Sequence, residues 1–93
     1  MSSPYTVKAH SAAAKQLAAI HLTFRHKGRM HIVAQADHKI QRALEMNPQG
    51  GTPTGTGTWT VTVYPLRAYY SIQGDDVLIV QYEEAPSVFV PMP

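Results

Sequence analysis

The chain has 93 residues, of which 44% are hydrophobic and 15% are charged, and we expect one small globular domain over residues 1–93. The sequence contains no cysteine, which excludes disulfides and thiolate metal sites and favours a cytoplasmic location over secretion. No apolar run is long enough to cross a bilayer, so we expect no membrane association, and the first ten residues do not have the pattern of a secretory signal.

The net charge of +2 is spread unevenly along the chain. Residues 1–46 contain seven Lys/Arg and two Asp/Glu, whereas residues 47–93 contain one Arg and four Asp/Glu. A basic N-terminal half can attract a polyanion or an acidic protein through its long-range field. The same charges can equally form the solvated surface of two helices, and the sequence leaves both interpretations open.

The N-terminal half predicts a strand followed by two helices. Residues 5–9 alternate in polarity as a strand does, and Ser11 can cap a helix with its hydroxyl. Gly28 suits the left-handed position after the end of this helix. Spacings of four, three and four predict one buried helical stripe, formed by Ala13, Leu17, Ile20 and Phe24.

A second helix is predicted to begin near Arg29 and to end at Asn47-Pro48, because a residue before proline disfavours the α region. Its core-facing stripe consists of Val33, Ala36, Ile40 and Leu44. Two helices joined by a short connection form an antiparallel hairpin.

Residues 49–58 are rich in Gly, Thr and Pro and predict a connecting loop. No lysine follows the glycines, so a phosphate-binding P-loop is not indicated.

A three-stranded meander follows the loop, with turns at Pro65 and at residues 73–76. Alternation directs one set of side chains toward the helices: Trp59, Val61, Val63, Leu66, Ala68, Tyr70 and Ile72. The opposite face is predicted to hold Thr60, Thr62, Tyr64, Arg67, Tyr69 and Ser71. Residues 77–80 are apolar without a break, which predicts a central strand or one covered on both faces. Residues 1–3 and 86–93 are candidates for flexible segments. The C-terminal segment could alternatively form an extra edge strand or a self-association segment, and we expect its Val88-Phe89-Val90 triplet to dock on the domain or on a partner.

The order strand, helix, helix, three-stranded meander resembles the RelE/ParE superfamily, the toxins of bacterial toxin–antitoxin systems associated with plasmid stabilisation. The similar segments are residues 5–20, the helix end ALEMNP at residues 43–48 and YPLRAYYSIQGDDVLIV at residues 64–80. The resemblance implies an α+β fold, with the helix hairpin on one face of a mainly antiparallel sheet. It also implies an antitoxin partner whose C-terminal segment wraps the toxin.

The resemblance implies two alternative activities. RelE-type members are ribosome-dependent mRNA endonucleases that use basic side chains on the open sheet face. ParE-type members share the fold, lack those side chains and act on DNA gyrase. A further alternative is a catalytically inactive module of the same fold that engages an antitoxin or forms a homodimer.

Arg67 corresponds to the family's arginine at the start of the penultimate strand, where a guanidinium would stabilise charge on a scissile phosphate. Tyr69 and Glu83 complete the catalytic hypothesis, with Glu83 as a candidate base. The nucleic-acid-binding hypothesis adds Tyr64, Thr60 and Thr62 to Arg67. The two threonines stand where RelE-type nucleases carry lysines, and an acidic Glu83-Glu84 follows the last strand, so the sequence departs from the nuclease pattern.

Each of these residues also has a purely structural interpretation. Arg67 could be a solvated strand residue paired with Asp75 or Asp76, and the tyrosines could pair across strands. The five histidines lie in the helical half without metal-ligand spacing, and His31 and His38 are seven residues apart. We therefore predict neither a metal nor a cofactor.

Overall fold

The computed structural model describes residues 5–85, which contain two α-helices and five β-strands in an α+β arrangement. The helices are α1 (Ser11–His26) and α2 (Met30–Met46). The strands are β1 (Thr6–Ala9), β2 (Thr52–Pro53), β3 (Trp59–Val63), β4 (Leu66–Gln73) and β5 (Asp76–Glu84). The predicted strand, helix hairpin and meander are all present. The predicted flexible segments at residues 1–3 and 86–93, including the Val88-Phe89-Val90 triplet, lie outside the described residues.

The five strands form one sheet in the order β1-β5-β4-β3-β2. β1 runs parallel to β5, and the other neighbouring strands are antiparallel. The predicted loop at residues 49–58 is more structured than its composition indicated. A 3₁₀ turn forms at Pro48–Gly50, and the two residues of β2 pair with Thr60 and Trp59 at the edge of the sheet.

The helix ends follow local chemistry, with one correction. The N-cap of α1 is His10 rather than the predicted Ser11, because the His10 ring Nδ1 accepts the Ala12 N–H at 3.1 Å. Gly28 has a φ of 69°, as predicted for the residue beyond the helix end. α2 ends at Met46, immediately before Asn47-Pro48, as predicted.

The hydrophobic core lies between the helix hairpin and one face of the sheet. The α2 stripe is entirely buried, whereas in α1 Ala13 and Phe24 are buried and Leu17 and Ile20 pack at the edge of the core. The sheet contributes the alternating residues that the pattern predicted, of which Leu66, Ala68 and Tyr70 are fully buried.

A β-bulge divides β5 into two halves whose side-chain alternation differs. β4 and β5 change register between Tyr69 and Tyr70, which pair with Gln81 and Ile79, so Val80 is an extra residue. Before the bulge, Ile79 faces the helices. Beyond it, Tyr82 takes the buried position and Glu83 lies on the opposite face beside Arg67. β5 is central, as predicted, but its apolar run alternates between buried and half-buried residues, so only one face is covered by the helices.

Position 51 requires glycine, because the backbone there lies too close to the Tyr70 side chain to leave room for a Cβ. The Tyr70 hydroxyl donates a hydrogen bond to the Pro48 carbonyl oxygen. Burial raises the pKa of the Tyr70 phenol. A Cβ at Gly51 would overlap the Tyr70 hydroxyl and lie 2.7 Å from the Thr60 carbonyl oxygen. The Gly51 φ of −75° is open to any residue, so the constraint is steric.

We expect Gly51→Ala to lower the free energy of unfolding by about 1–3 kcal/mol, because the methyl group would overpack the Tyr70 contact. Gly50→Ala is the matched control, since its added Cβ would meet the movable side chain of Asn47 at 3.0 Å. Urea unfolding of both variants measures the difference. Equal losses of stability would contradict the steric role of Gly51.

Tyr82 joins β5 to both helices through polar contacts. Its hydroxyl donates to Asp37 Oδ1 on α2 at 2.6 Å, and it accepts a 3.4 Å hydrogen bond from Gln41 Nε2. Its backbone N–H donates to Gln16 Oε1 on α1 at 2.9 Å. Burial, reinforced by the Asp37 carboxylate, raises the pKa of the Tyr82 phenol well above its ordinary value of 10. The folded state therefore favours the neutral phenol.

Since the pKa of Tyr82 is higher in the folded than in the unfolded chain, its contribution to stability is complete below about pH 10 and falls as the pH rises further. We expect Tyr82→Phe to lower the free energy of unfolding by about 1–2 kcal/mol at pH 7. Between pH 9 and 11, a range around the pKa of tyrosine in the unfolded chain, the variant should lose less stability than the wild type. Urea unfolding across this range tests the prediction, with Tyr64→Phe as the exposed-tyrosine control. Identical pH dependence in Tyr82→Phe and wild type would refute it.

Candidate functional site

The sheet face opposite the helices, here called the open face, carries the residues singled out by the sequence. Strand alternation places Thr60, Thr62, Arg67 and Tyr69 there, and none of them belongs to the buried core. Glu83 joins them because the bulge in β5 turns it to this face. In the sheet register Thr62 and Glu83 flank Arg67 on either side, so the three side chains occupy one row across β3, β4 and β5.

Arg67 is the centre of a hydrogen-bonded cluster. Its Nη1 donates to Glu83 Oε2 at 3.0 Å, forming an ion pair, and its Nε donates to Thr62 Oγ1 at 3.2 Å. The Tyr69 hydroxyl donates to the same Glu83 oxygen at 3.1 Å. We refer to Thr62, Arg67, Tyr69 and Glu83 as the Arg67 cluster.

The cluster is electrically balanced and accessible to solvent. The Arg67 and Glu83 side chains are 32% and 34% exposed, so water partly screens the ion pair. The adjacent Tyr69 hydroxyl, and then the Glu83 carboxylate, raises the pKa of Arg67 above its ordinary value. The guanidinium therefore stays protonated, and a carboxylate already occupies one edge of its donor fork.

The predicted site residues divide into those the fold brings together and those it separates. The three catalytic candidates, Arg67, Tyr69 and Glu83, meet in the Arg67 cluster with Thr62. Thr60 pairs with Tyr69 in the sheet, but its hydroxyl donates a long 3.5 Å hydrogen bond to the Thr52 carbonyl oxygen. Tyr64 lies in the turn between β3 and β4, where its side chain is exposed.

The interpretation that Arg67 pairs with Asp75 or Asp76 is wrong. The register places Asp76 opposite Gln73, at the far end of the β4–β5 hairpin, whereas Glu83 lies opposite Arg67. Within residues 5–85, no group of three or more His, Asp or Glu side chains is arranged to hold a metal ion.

Two features of the open face were not identified from the sequence as parts of a site. Leu78 and Val80 lie half-buried on β5, and Lys8 on β1 pairs with Leu78 in the sheet. The unbroken apolar run of residues 77–80 was the available signal, because a strand with one solvated face would normally alternate. Leu78 and Val80 make the open face partly apolar.

Comparisons with known proteins identify the fold. The chain is similar to a chain of the chromosomal ParDE toxin–antitoxin system from P. aeruginosa, with a TM-score of 0.72, 19% identity and coverage of 91% of this chain and 100% of the other. It is also similar to a chain of the RelBE2 toxin–antitoxin complex from Mycobacterium tuberculosis, with a TM-score of 0.67, 24% identity and coverage of 87% and 91%. No protein-family model and no curated protein matches the sequence. The chain thus has the RelE/ParE-like fold that its sequence predicted.

Removing the Glu83 charge should release Arg67 for anions. We expect Glu83→Gln to bind a fluorescently labelled single-stranded RNA oligonucleotide about three- to tenfold more tightly at low salt, because Arg67 loses its anionic partner. Glu84→Gln is the matched control, because Glu84 is exposed on the same strand and its substitution removes the same charge. Fluorescence anisotropy titrations measure the affinities. The same gain in both variants would show that Glu83 does not control Arg67.

Proposed function

We propose that this chain is a toxin-like protein of a bacterial toxin–antitoxin system, acting in the cytoplasm and bound there by a cognate antitoxin. The proposal is supported by the similarity of its fold to chains of the ParDE and RelBE2 toxin–antitoxin complexes. Within residues 5–85, neither helix is long and apolar enough to cross a membrane.

We infer further that the open face works by binding a protein, as in the ParE-type hypothesis with DNA gyrase as target. The observation that supports this inference is the Arg67–Glu83 ion pair of 3.0 Å. A phosphate would have to displace Glu83 from the Arg67 guanidinium. Thr60 and Thr62, on the strand next to Arg67, supply no further positive charge. The half-buried Leu78 and Val80 and the hydroxyls around them instead provide the mixed apolar and polar contacts typical of protein interfaces.

An endoribonuclease is the second candidate, because the three catalytic candidates do converge. If a scissile phosphate replaced Glu83 on Arg67, the freed carboxylate could accept the proton of the attacking ribose 2′-hydroxyl. The 2′-oxygen would bond to phosphorus as the bond to the 5′-oxygen breaks, and the Tyr69 phenol could protonate that leaving oxygen. Arg67 would stabilise the charge on the phosphoryl oxygens.

Two parallel assays separate these candidates. In a ribosome-dependent mRNA cleavage assay we expect no cutting by the wild type, and in a gyrase supercoiling assay we expect inhibition. Arg67→Ala and Glu83→Gln should each weaken gyrase inhibition, because both remove a contact of the open face. Ribosome-dependent cutting that Arg67→Ala abolishes would favour the nuclease instead.

The antitoxin and a homodimer are separate partner hypotheses. If a short reading frame adjoins the gene, co-expression with its product should yield a stable complex when that product is the antitoxin. Size-exclusion chromatography with light scattering on the isolated chain determines whether it self-associates. Complex formation without activity in either assay would favour the catalytically inactive binding module.

A further inference from the structure

The connection between the two helices has positive charges without nearby carboxylates. Arg25, Lys27 and Arg29 are all exposed, and the sequence contains no Asp or Glu before Asp37. Within residues 5–85, the ion pair of 3.0 Å joins Arg67 to Glu83, and no carboxylate lies within ion-pair distance of Arg25, Lys27 or Arg29. The three cations at the helix connection are therefore unpaired within the described part of the chain.

Exposed apolar side chains lie beside these cations. Leu22 is 53% exposed and Met30 is 46% exposed, although both are large hydrophobic residues. They line an open groove of about 310 Å³ together with Ala18, His21 and Arg25. Ala18, Leu22 and Arg25 follow helical spacing along α1, and Met30 begins α2, so the groove lies where the two helices meet. We call Leu22, Arg25, Arg29 and Met30 the hairpin-tip surface.

We propose that the hairpin-tip surface binds an acidic amphipathic segment of a partner protein. Such a segment would place apolar side chains against Leu22 and Met30 and carboxylates against Arg25 and Arg29. A nucleic acid would satisfy the charges, but its phosphate backbone would leave the two exposed apolar side chains without an apolar partner. The combination of an apolar groove with unpaired cations on its rim therefore favours a peptide.

This surface is separate from the Arg67 cluster and does not depend on the proposed toxin-like function. It lies on the helices, which cover the sheet face opposite to the one that carries Arg67 and Glu83. A failure of the gyrase and nuclease assays would leave the binding test at the helix connection intact. Conversely, a failure of peptide binding at the helix connection would leave the gyrase and nuclease tests of the open face intact.

The test uses three synthetic helical peptides of about 14 residues with the same leucine stripe. Their flanking positions are all Glu, all Gln or all Lys. Fluorescence anisotropy against the full chain is expected to show saturable binding of the Glu peptide, at least about tenfold tighter than the Gln peptide at low salt. Raising the salt concentration should weaken binding of the Glu peptide selectively.

The variants target charge and apolar contact separately. The Arg25→Glu, Arg29→Glu double variant should bind the Glu peptide at least about tenfold more weakly and should gain affinity for the Lys peptide. The Leu22→Ser, Met30→Gln double variant should weaken the Glu peptide about threefold or more. Lys27 is left unchanged, because its Nζ lies 5.2 Å from the centroid of the buried Phe24 ring and its loss could disturb the core.

Arg42→Glu is the matched control, because it reverses an exposed charge on α2 about 18 Å along the helix from Met30. It should change binding of the Glu peptide by less than about twofold, and thermal unfolding confirms that every variant is folded. Equal binding of the Glu and Gln peptides would overturn the proposal, as would equal effects of Arg42→Glu and the tip variants. Tighter binding of single-stranded RNA or of anionic phosphatidylserine vesicles than of the Glu peptide would also overturn it, in favour of a polyanion or a lipid surface.

Discussion

The β-bulge at Val80 is the constraint on which the Arg67 cluster and the Tyr82 contacts to the helices both depend. With uninterrupted alternation from Val77, Tyr82 would face solvent and Glu83 would point into the helix-covered side. A carboxylate buried there without a cation would be strongly destabilising. The extra residue reverses both orientations, so that the phenol reaches α2 and the carboxylate reaches Arg67. One inserted residue thus determines what each face of the sheet presents beyond this point.

The polar contacts on the helix side define how the helices sit on the sheet. Apolar packing is non-directional, and many small shifts of the hairpin would bury similar area. The Tyr82 contacts to Asp37 and Gln16 connect one strand to both helices, and the Tyr70 hydroxyl ties β4 to the turn after α2. These directional bonds fix the position of the helix hairpin on the sheet, because a displaced helix would leave partly buried donors or acceptors unpaired.

Much of the fold could be predicted because its periodicities are strong, whereas the missed features depend on tertiary pairing. The α2 stripe and the β4 alternation follow directly from residue spacing. The strand at Thr52–Pro53 exists only through its pairing with β3, and no local pattern marks it. The four residues of the Arg67 cluster were each named as candidates from the sequence, but their pairing was not predicted: Asp75 and Asp76 are nearer to Arg67 in sequence, and only the β4–β5 register brings Glu83 opposite it.

The distribution of charge between the two sides of the molecule bears on which partner each can take. Six of the eight Lys/Arg residues lie between positions 15 and 42, on the helices and their connection. On the open face Arg67 is neutralised by Glu83, and the neighbouring Thr62 and Tyr69 hydroxyls are uncharged hydrogen-bonding groups. A long-range field would therefore steer an anionic partner toward the helices rather than to the sheet. This distribution supports the proposal that the open face binds a protein, because a protein surface supplies shape complementarity and hydrogen bonds more readily than a phosphate backbone does.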